Sequence, residues 1–237
     1  MTGSERPQSP FAGKLDFSAR PPVRTLSPEE IERQLAEHRL YLETEWRHGH
    51  RANFASADLT GRDFSGLNLR GIRMDRALLK GADFTRARLL RANLIGAILE
   101  QARLDDADLS GARLSGANLV SASLENACLT KAEMEFALLA KAVLRGACLR
   151  GADMSGALLD GADLRDGRLG AVFLAGASLR AVDLRGAYLR LARLEGADLS
   201  DADLRGAEGL TQAQIDRAYC NTGTRLPEGL KGEGDAG

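Results

Sequence analysis

Histidine, cysteine and the carboxylates are the side chains of this 237-residue chain best suited to acid–base, nucleophilic or metal chemistry. The three histidines, His38, His48 and His50, all precede residue 52. The long stretch after them has no imidazole to activate a Ser or Cys nucleophile. His48-Gly49-His50 supplies two nitrogens, half of a four-ligand set, and reads as a polar turn after a helix. Cys128, Cys148 and Cys220 are too few for a disulfide framework, and Cys128 and Cys148 are expected as free thiols. The 33 Asp and Glu residues are spread along the chain, with no sign of a pocket that would shift their pKa values. The glycines recur every five residues, which is not a phosphate-loop spacing. The expectation is no enzyme, no catalytic residue, no cofactor and no bound metal.

The elements behind these side chains follow a different rule. Every fifth residue from Phe54 to Leu204 is Leu, Phe or Met, through 31 consecutive units. Two residues before them the residue is Ala in 25 of the 31 units. The composition, rich in Ala, Leu, Arg and Glu, favours helix, but the period does not. Residues five apart on a helix are rotated by about 140° net, so the Leu series would spiral and leave no apolar stripe. Alternation fits instead. In Ala107-Asp108-Leu109-Ser110-Gly111, Ala107 and Leu109 share one face, Asp108 and Ser110 face the other way, and Gly111 stands where the chain must turn.

Units such as Ala57-Asp58-Leu59, Ala92-Asn93-Leu94, Ala117-Asn118-Leu119, Ala162-Asp163-Leu164 and Ala197-Asp198-Leu199 resemble the pentapeptide-repeat family, whose consensus is Ala-(Asp/Asn)-Leu-any-any. The resemblance covers residues 52 to about 207. It implies an all-β solenoid, a right-handed quadrilateral β-helix of pentapeptide repeats with short flanking α-helices. Four units, twenty residues, would make one coil, and nearly eight coils would make a rod of roughly 38 Å. Its interior would be a ladder of Leu and a ladder of Ala with no cavity. The small position is occupied otherwise at Arg62, Leu67, Ile72, Gly167, Val172 and Val182. A charge cannot enter such a core unpaired, so Arg62 is expected to distort the first coil and to turn toward solvent or a terminal cap.

The chain divides into a disordered tail (1–25), an N-terminal helix and connector (26–50), the repeats (51–208), a C-terminal capping helix (209–222) and a second disordered tail (223–237). Ser27 reads as a helix N-cap, Pro28 as the first helical residue and Glu30 as the capping-box acid. Ile31, Leu35, Leu42 and Trp46 would share one helix face. Leu210, Thr211, Gln214 and Ile215 repeat the grammar, with a helix to about Cys220. Both helices would cover the open sheet edges of the solenoid. The formal net charge is −1, which argues against nucleic acid as a partner. The N-terminus has no apolar signal core and no apolar run is long enough to span a membrane, so a cytoplasmic protein is expected.

Residues twenty apart would stack as neighbours. One such ladder, Asp58, Leu78, Ile98, Asn118, Leu138, Leu158, Ser178 and Asp198, is apolar in its middle and flanked by Ile95, Val120 and Phe136. These apolar residues form the candidate interface for a protein partner or a second copy. A second ladder, Arg145, Arg165, Arg185 and Arg205 beside Asp163, Asp183 and Asp203, reads as solvated ion pairs. Cys128 and Cys148 fall one coil apart, about 4.8 Å. The expected function is a non-catalytic interaction scaffold. The family resemblance offers an alternative, since some members mimic duplex DNA and bind type II topoisomerases such as DNA gyrase, giving quinolone resistance or toxin immunity. That mimicry needs an acidic surface, and residues 51–208 hold 22 Lys plus Arg against 21 Asp plus Glu. A third alternative is a structural homodimer joined end to end through Ile215 and Tyr219.

Overall fold

The computed structural model describes residues 22–232. Most of the first expected tail, residues 1–21, and the end of the second, 233–237, lie outside the described residues. Two helices, α1 (Pro28–Glu43) and α2 (Gln212–Ile215), flank a solenoid. Its backbone pairs in parallel between residues twenty apart, as in the series Asp58, Leu78, Ile98, Asn118. Four such series begin at Asn53, Asp58, Asp63 and Asn68, so each twenty-residue coil has four sides. We label these sides A to D in that order. Each pairing is a single-residue bridge, because the chain turns again after three residues and no extended strand can form.

The hydrogen-bonding needs of one unit explain its sequence. Ala107 N–H donates back to Leu104 O (3.1 Å), closing a turn. Asp108 N–H reaches Ala87 O in the coil before, while Leu109 N–H and Gly111 N–H reach Cys128 O and Thr130 O in the coil after. The remaining amide, Ser110 N–H, donates to the Asp108 carboxylate at 3.0 Å. All five donors are satisfied, as a packed backbone requires. The Asp or Asn of the unit is there to serve the turn.

Each turn places its third residue at positive φ, the mark of a type II turn. Gly is expected there, but Lys131 (56°), Phe136 (57°) and Leu191 (63°) adopt the same angle. Left-handed backbone costs an L-residue about 1–2 kcal/mol, and the rungs on either side hold these corners against it. Several of these side chains lie over a glycine corner one coil on. A Cβ on Gly156 would stand 2.6 Å from the Phe136 ring, and one on Gly146 2.5 Å from Asn126 Oδ1.

The Ala and Leu positions are buried along the rod, except at Arg62 and Leu67 in the first coil. Phe64 and Phe84 stack on successive coils, centroids 4.9 Å apart at 10°. Ile72, Val172 and Val182 are absorbed into this core. Arg62 does not distort the first coil, contrary to expectation. Its N–H closes the regular turn to Leu59 O, its carbonyl accepts from Asp83 N–H, and the residue is half-buried. No earlier coil lies beneath it, so the side chain has an exit that a mid-rod position lacks.

Both ends are closed by side chains and stray backbone. Ser27 Oγ accepts from Glu30 N–H and starts α1. Gln34 Oε1 and His38 Nδ1 then accept from Asn53 N–H (3.2 Å) and Ala52 N–H (3.3 Å), amides at the open start of the first coil. Ile31 and His38 are buried at this junction. Trp46 does not share the helix face expected of it. The helix stops at Glu43, and Trp46 turns to φ 74° with 65% of its surface exposed.

At the other end Gln214 accepts from Thr211 N–H and donates to Ala192 O (2.8 Å), capping α2 and the last coil together. The expected helix to Cys220 ends instead at Ile215. The free coil edge claims the segment beyond it. Tyr219 N–H donates to Ala197 O, and Leu199 N–H to Tyr219 O. Part of the expected second tail is likewise ordered. Arg225 pairs with Asp203, and Leu226 and Leu230 pack on the core. Among the described residues no helix is long and apolar enough to cross a membrane.

Two corner glycines separate backbone strain from steric conflict. Gly196 (φ 68°) has open space where a Cβ would go, whereas Gly156 (φ 66°) faces the Phe136 ring. Gly196→Ala should cost roughly 1 kcal/mol from backbone strain. Gly156→Ala should cost about 1–3 kcal/mol beyond that. Urea unfolding measures both; equal losses would mean that the Phe136 ring swings clear.

Candidate interaction surface

Side B carries the expected apolar ladder. Leu78 pairs with Ile98 and Leu138 with Leu158 on adjacent coils. Leu158 is 46% exposed, and Leu78, Ile98 and Leu138 are half-buried. Asn118 interrupts the run, with its side chain directed along the rod. It donates to Glu100 (2.6 Å) and accepts from Val120 N–H (3.1 Å). Phe136 stands at the A–B corner against Gly156. Ile95 belongs to the same A–B corner, while Val120 lies at the B–C corner, so the two flank opposite edges of side B. Polar residues close both ends: Asp58 and Asp198 accept from the turn amides of Thr60 and Ser200. Leu78, Ile98, Leu138 and Leu158 have no oxygen for that service, so each exchanges a turn hydrogen bond for apolar surface.

Side C carries the ion pairs. Arg165, Arg185 and Arg205 each grip the Asp two residues earlier through Nε and Nη2, with Nη2–Oδ2 distances of 2.5, 2.6 and 2.6 Å. Arg165 also faces Asp183 at 3.6 Å, and Arg225 faces Asp203 at 3.7 Å. Arg145 instead meets Glu125 at 3.6 Å. The Arg205 hydrogen bonds, outweighing desolvation, pull the Asp203 pKa down to about 2. Asp163 and Asp183 are lowered in the same way by Arg165 and Arg185. These acids are matched by cations one turn away and offer no bare anionic stripe.

The residues with chemical potential are dispersed. His48 and His50 lie in the exposed turn after α1, with His50 facing Glu37 at 3.6 Å. His38, given no role by the sequence reading, is the buried histidine; its spacing of seven from Ile31 on one helix was the available signal. Among the described residues no group of three or more His, Cys, Asp or Glu could hold a metal. Cys128 and Cys148 pair on side D as free thiols. A cleft of about 380 Å³ between α1 and the first coil is lined by Leu35, His38, Leu42 and Leu67. Another of about 850 Å³ at the far end is lined by Phe173, Leu191, Arg193 and Gln214. Neither opens on side B. Ile215, expected to carry an end-to-end dimer, is 2% exposed and belongs to the chain's own core. Its side chain is needed to seal the last coil and is not free for a second copy. Tyr219 is 53% exposed.

A model of the pentapeptide repeats matches in eight overlapping copies between residues 52 and 208. No curated protein matches. Similar solved structures include a trypsin-treated form of QnrB1, described as a plasmid-mediated fluoroquinolone resistance protein. It is 20% identical, with 73% of this chain and 92% of that one covered and a TM-score of 0.37. HetL, a pentapeptide repeat protein involved in heterocyst differentiation regulation in the cyanobacterium Nostoc sp. strain PCC 7120, is 34% identical over 73% of this chain and 85% of its own, with a TM-score of 0.31. A pentapeptide repeat protein of the Arabidopsis thaliana thylakoid lumen is 36% identical over 46% of this chain and 69% of its own, TM-score 0.33.

The side C carboxylates make stability depend on acidity. Their folded pKa values lie below the ordinary 3.8, so as pH falls the unfolded chain takes up protons first. Their contribution is complete above about pH 4 and is lost as pH falls towards 2. Urea midpoints measured from pH 5 to pH 2 should therefore decline. Asp203→Asn should start lower and decline less, and identical profiles for the two proteins would remove Asp203 from the account.

Proposed function

Because the chain belongs to the pentapeptide-repeat family, we propose that it is a non-catalytic scaffold whose side B binds a partner protein or a second copy of the chain. The observation that supports this is the register of Leu78, Ile98, Leu138 and Leu158, which gather on one side with Leu158 46% exposed. Scattered apolar residues are normal on surfaces, but a contiguous patch with a polar rim marks an interface. Asp58, Ser178 and Asp198 supply that rim along the ladder, and Lys80 paired with Glu100 supplies it at the edge. We read the solenoid as the right-handed β-helix of the family, and the free thiols of Cys128 and Cys148 suit a reducing cytoplasm. A DNA-mimic role on a type II topoisomerase is the weaker reading, because 22 cations against 21 acids leave residues 51–208 near neutral.

Leu138→Glu with Leu158→Glu tests the reading. Both side chains point outward, so the fold should survive, as circular dichroism would verify. The wild-type protein should either sediment as a dimer or retain a defined partner from a lysate, and the double variant should lose that association. Unchanged mass and unchanged recovery for the double variant would dismiss side B as the binding surface.

A further inference from the structure

Side D stacks two thiols that the scaffold role does not use. Cys128 and Cys148 are bridge partners on adjacent coils, locked by Cys148 N–H to Ala127 O (2.9 Å) and Leu129 N–H to Cys148 O (2.7 Å). Hydroxyls bracket them. Ser110 Oγ lies 3.2 Å from the Cys128 sulfur, and Thr130 Oγ1 touches both sulfurs, at 3.4 Å from Cys128 and 3.3 Å from Cys148. Both cysteines are half-buried, so solvent reaches them while the rod holds their backbones.

We propose that Cys128 and Cys148 form a two-thiolate site for a soft monovalent cation of the Cu(I) class. Softness follows from the donors, since thiolates select Cu(I) over the hard cations that oxygen prefers. The coordination number follows from the surroundings. Among the described residues no third His, Cys, Asp or Glu joins the pair, so a closed four-ligand zinc site is not served. A d¹⁰ monovalent ion accepts two thiolates in near-linear array. With metal–sulfur bonds no longer than the roughly 2.3 Å of zinc thiolates, such a unit spans at most about 4.6 Å, near the ~4.8 Å between paired strands.

The same spacing falls within the Cα range of a disulfide but is wider than the Cβ separation that one takes. In-register side chains of parallel strands project side by side, with Cβ atoms about one rung apart, whereas a disulfide draws them to about 3.8 Å. An inserted ion fills the gap that a bond would have to close. As the two S–Cu bonds form, each thiol releases its proton. The bound unit carries one net negative charge; Arg168 occupies the rung after Cys148 and Asp108 the rung before Cys128.

The test is anaerobic competition for Cu(I) against the chromogenic chelator bicinchoninate, using the reduced full-length chain. The wild type should withdraw one Cu(I) per chain. Cys128→Ser and Cys148→Ser should each lose that capture, and Cys220→Ser should keep it. Ser already occupies this repeat position at Ser123 and Ser178, so the variants should fold, with circular dichroism as the check. No withdrawal by the wild type, capture that survives either Cys128→Ser or Cys148→Ser, or capture that needs Cys220 would each overturn the proposal.

Discussion

The amide of the residue after each core Leu has no rung to join, and the rest of the unit is organised around that fact. Two amides of each unit bond forward to the next coil, one bonds back, and one closes the turn. The fifth is left to a side chain, which in many units is the Asp or Asn just before the Leu. The ends of the rod obey the same necessity by other means. Gln34 and His38 accept the amides that no earlier coil receives, and Gln214 supplies a carbonyl with the donor that no later coil provides. Deprived of these surrogates, the terminal coils would present open edges of the kind that pair with other chains.

Much of this was legible in the order of residues. A period of five with Ala two before Leu is incompatible with a helix and compatible with a short extended piece and a corner. The stacking of residues twenty apart followed from the family resemblance, and the rungs realise it. What escaped had a common cause: competition between local preference and the demands of an edge. Thr211 and Gln214 do begin a helix, but the unpaired edge at Ala197 and Leu199 takes Tyr219 into a bridge and ends it. Arg62 looked incompatible with the core because no sequence pattern says that the first coil has nothing beneath it. The corners at Lys131, Phe136 and Leu191 were invisible for another reason. Positive φ is forced on them by their neighbours' pairing and not by their own propensity.

The uniform interior has a consequence for how function is written. Ala and Leu are spoken for along the whole rod, and the corner angle is fixed. Only the residue between Ala and Leu and the two corner residues remain free to vary. The four sides have used that freedom differently. Side B gathers aliphatics, side C alternates Asp with a gripping Arg, and side D stacks two thiols beneath Arg168. The sides share one backbone but not one chemistry.

The coil length also bears on how such a chain can lengthen or shorten. Duplicating or deleting one whole coil, twenty residues, returns every later residue to its own side, and the rod changes length alone. Gaining or losing a single unit of five preserves the core equally well, yet turns everything downstream by a quarter. The aliphatics of side B would then continue a charged or polar neighbour's column. Stability would be blind to the difference between the two events, because Leu still falls on Leu and Ala on Ala. Any partner that reads one side would register it at once, so the number five sets what the fold tolerates and the number twenty what recognition tolerates.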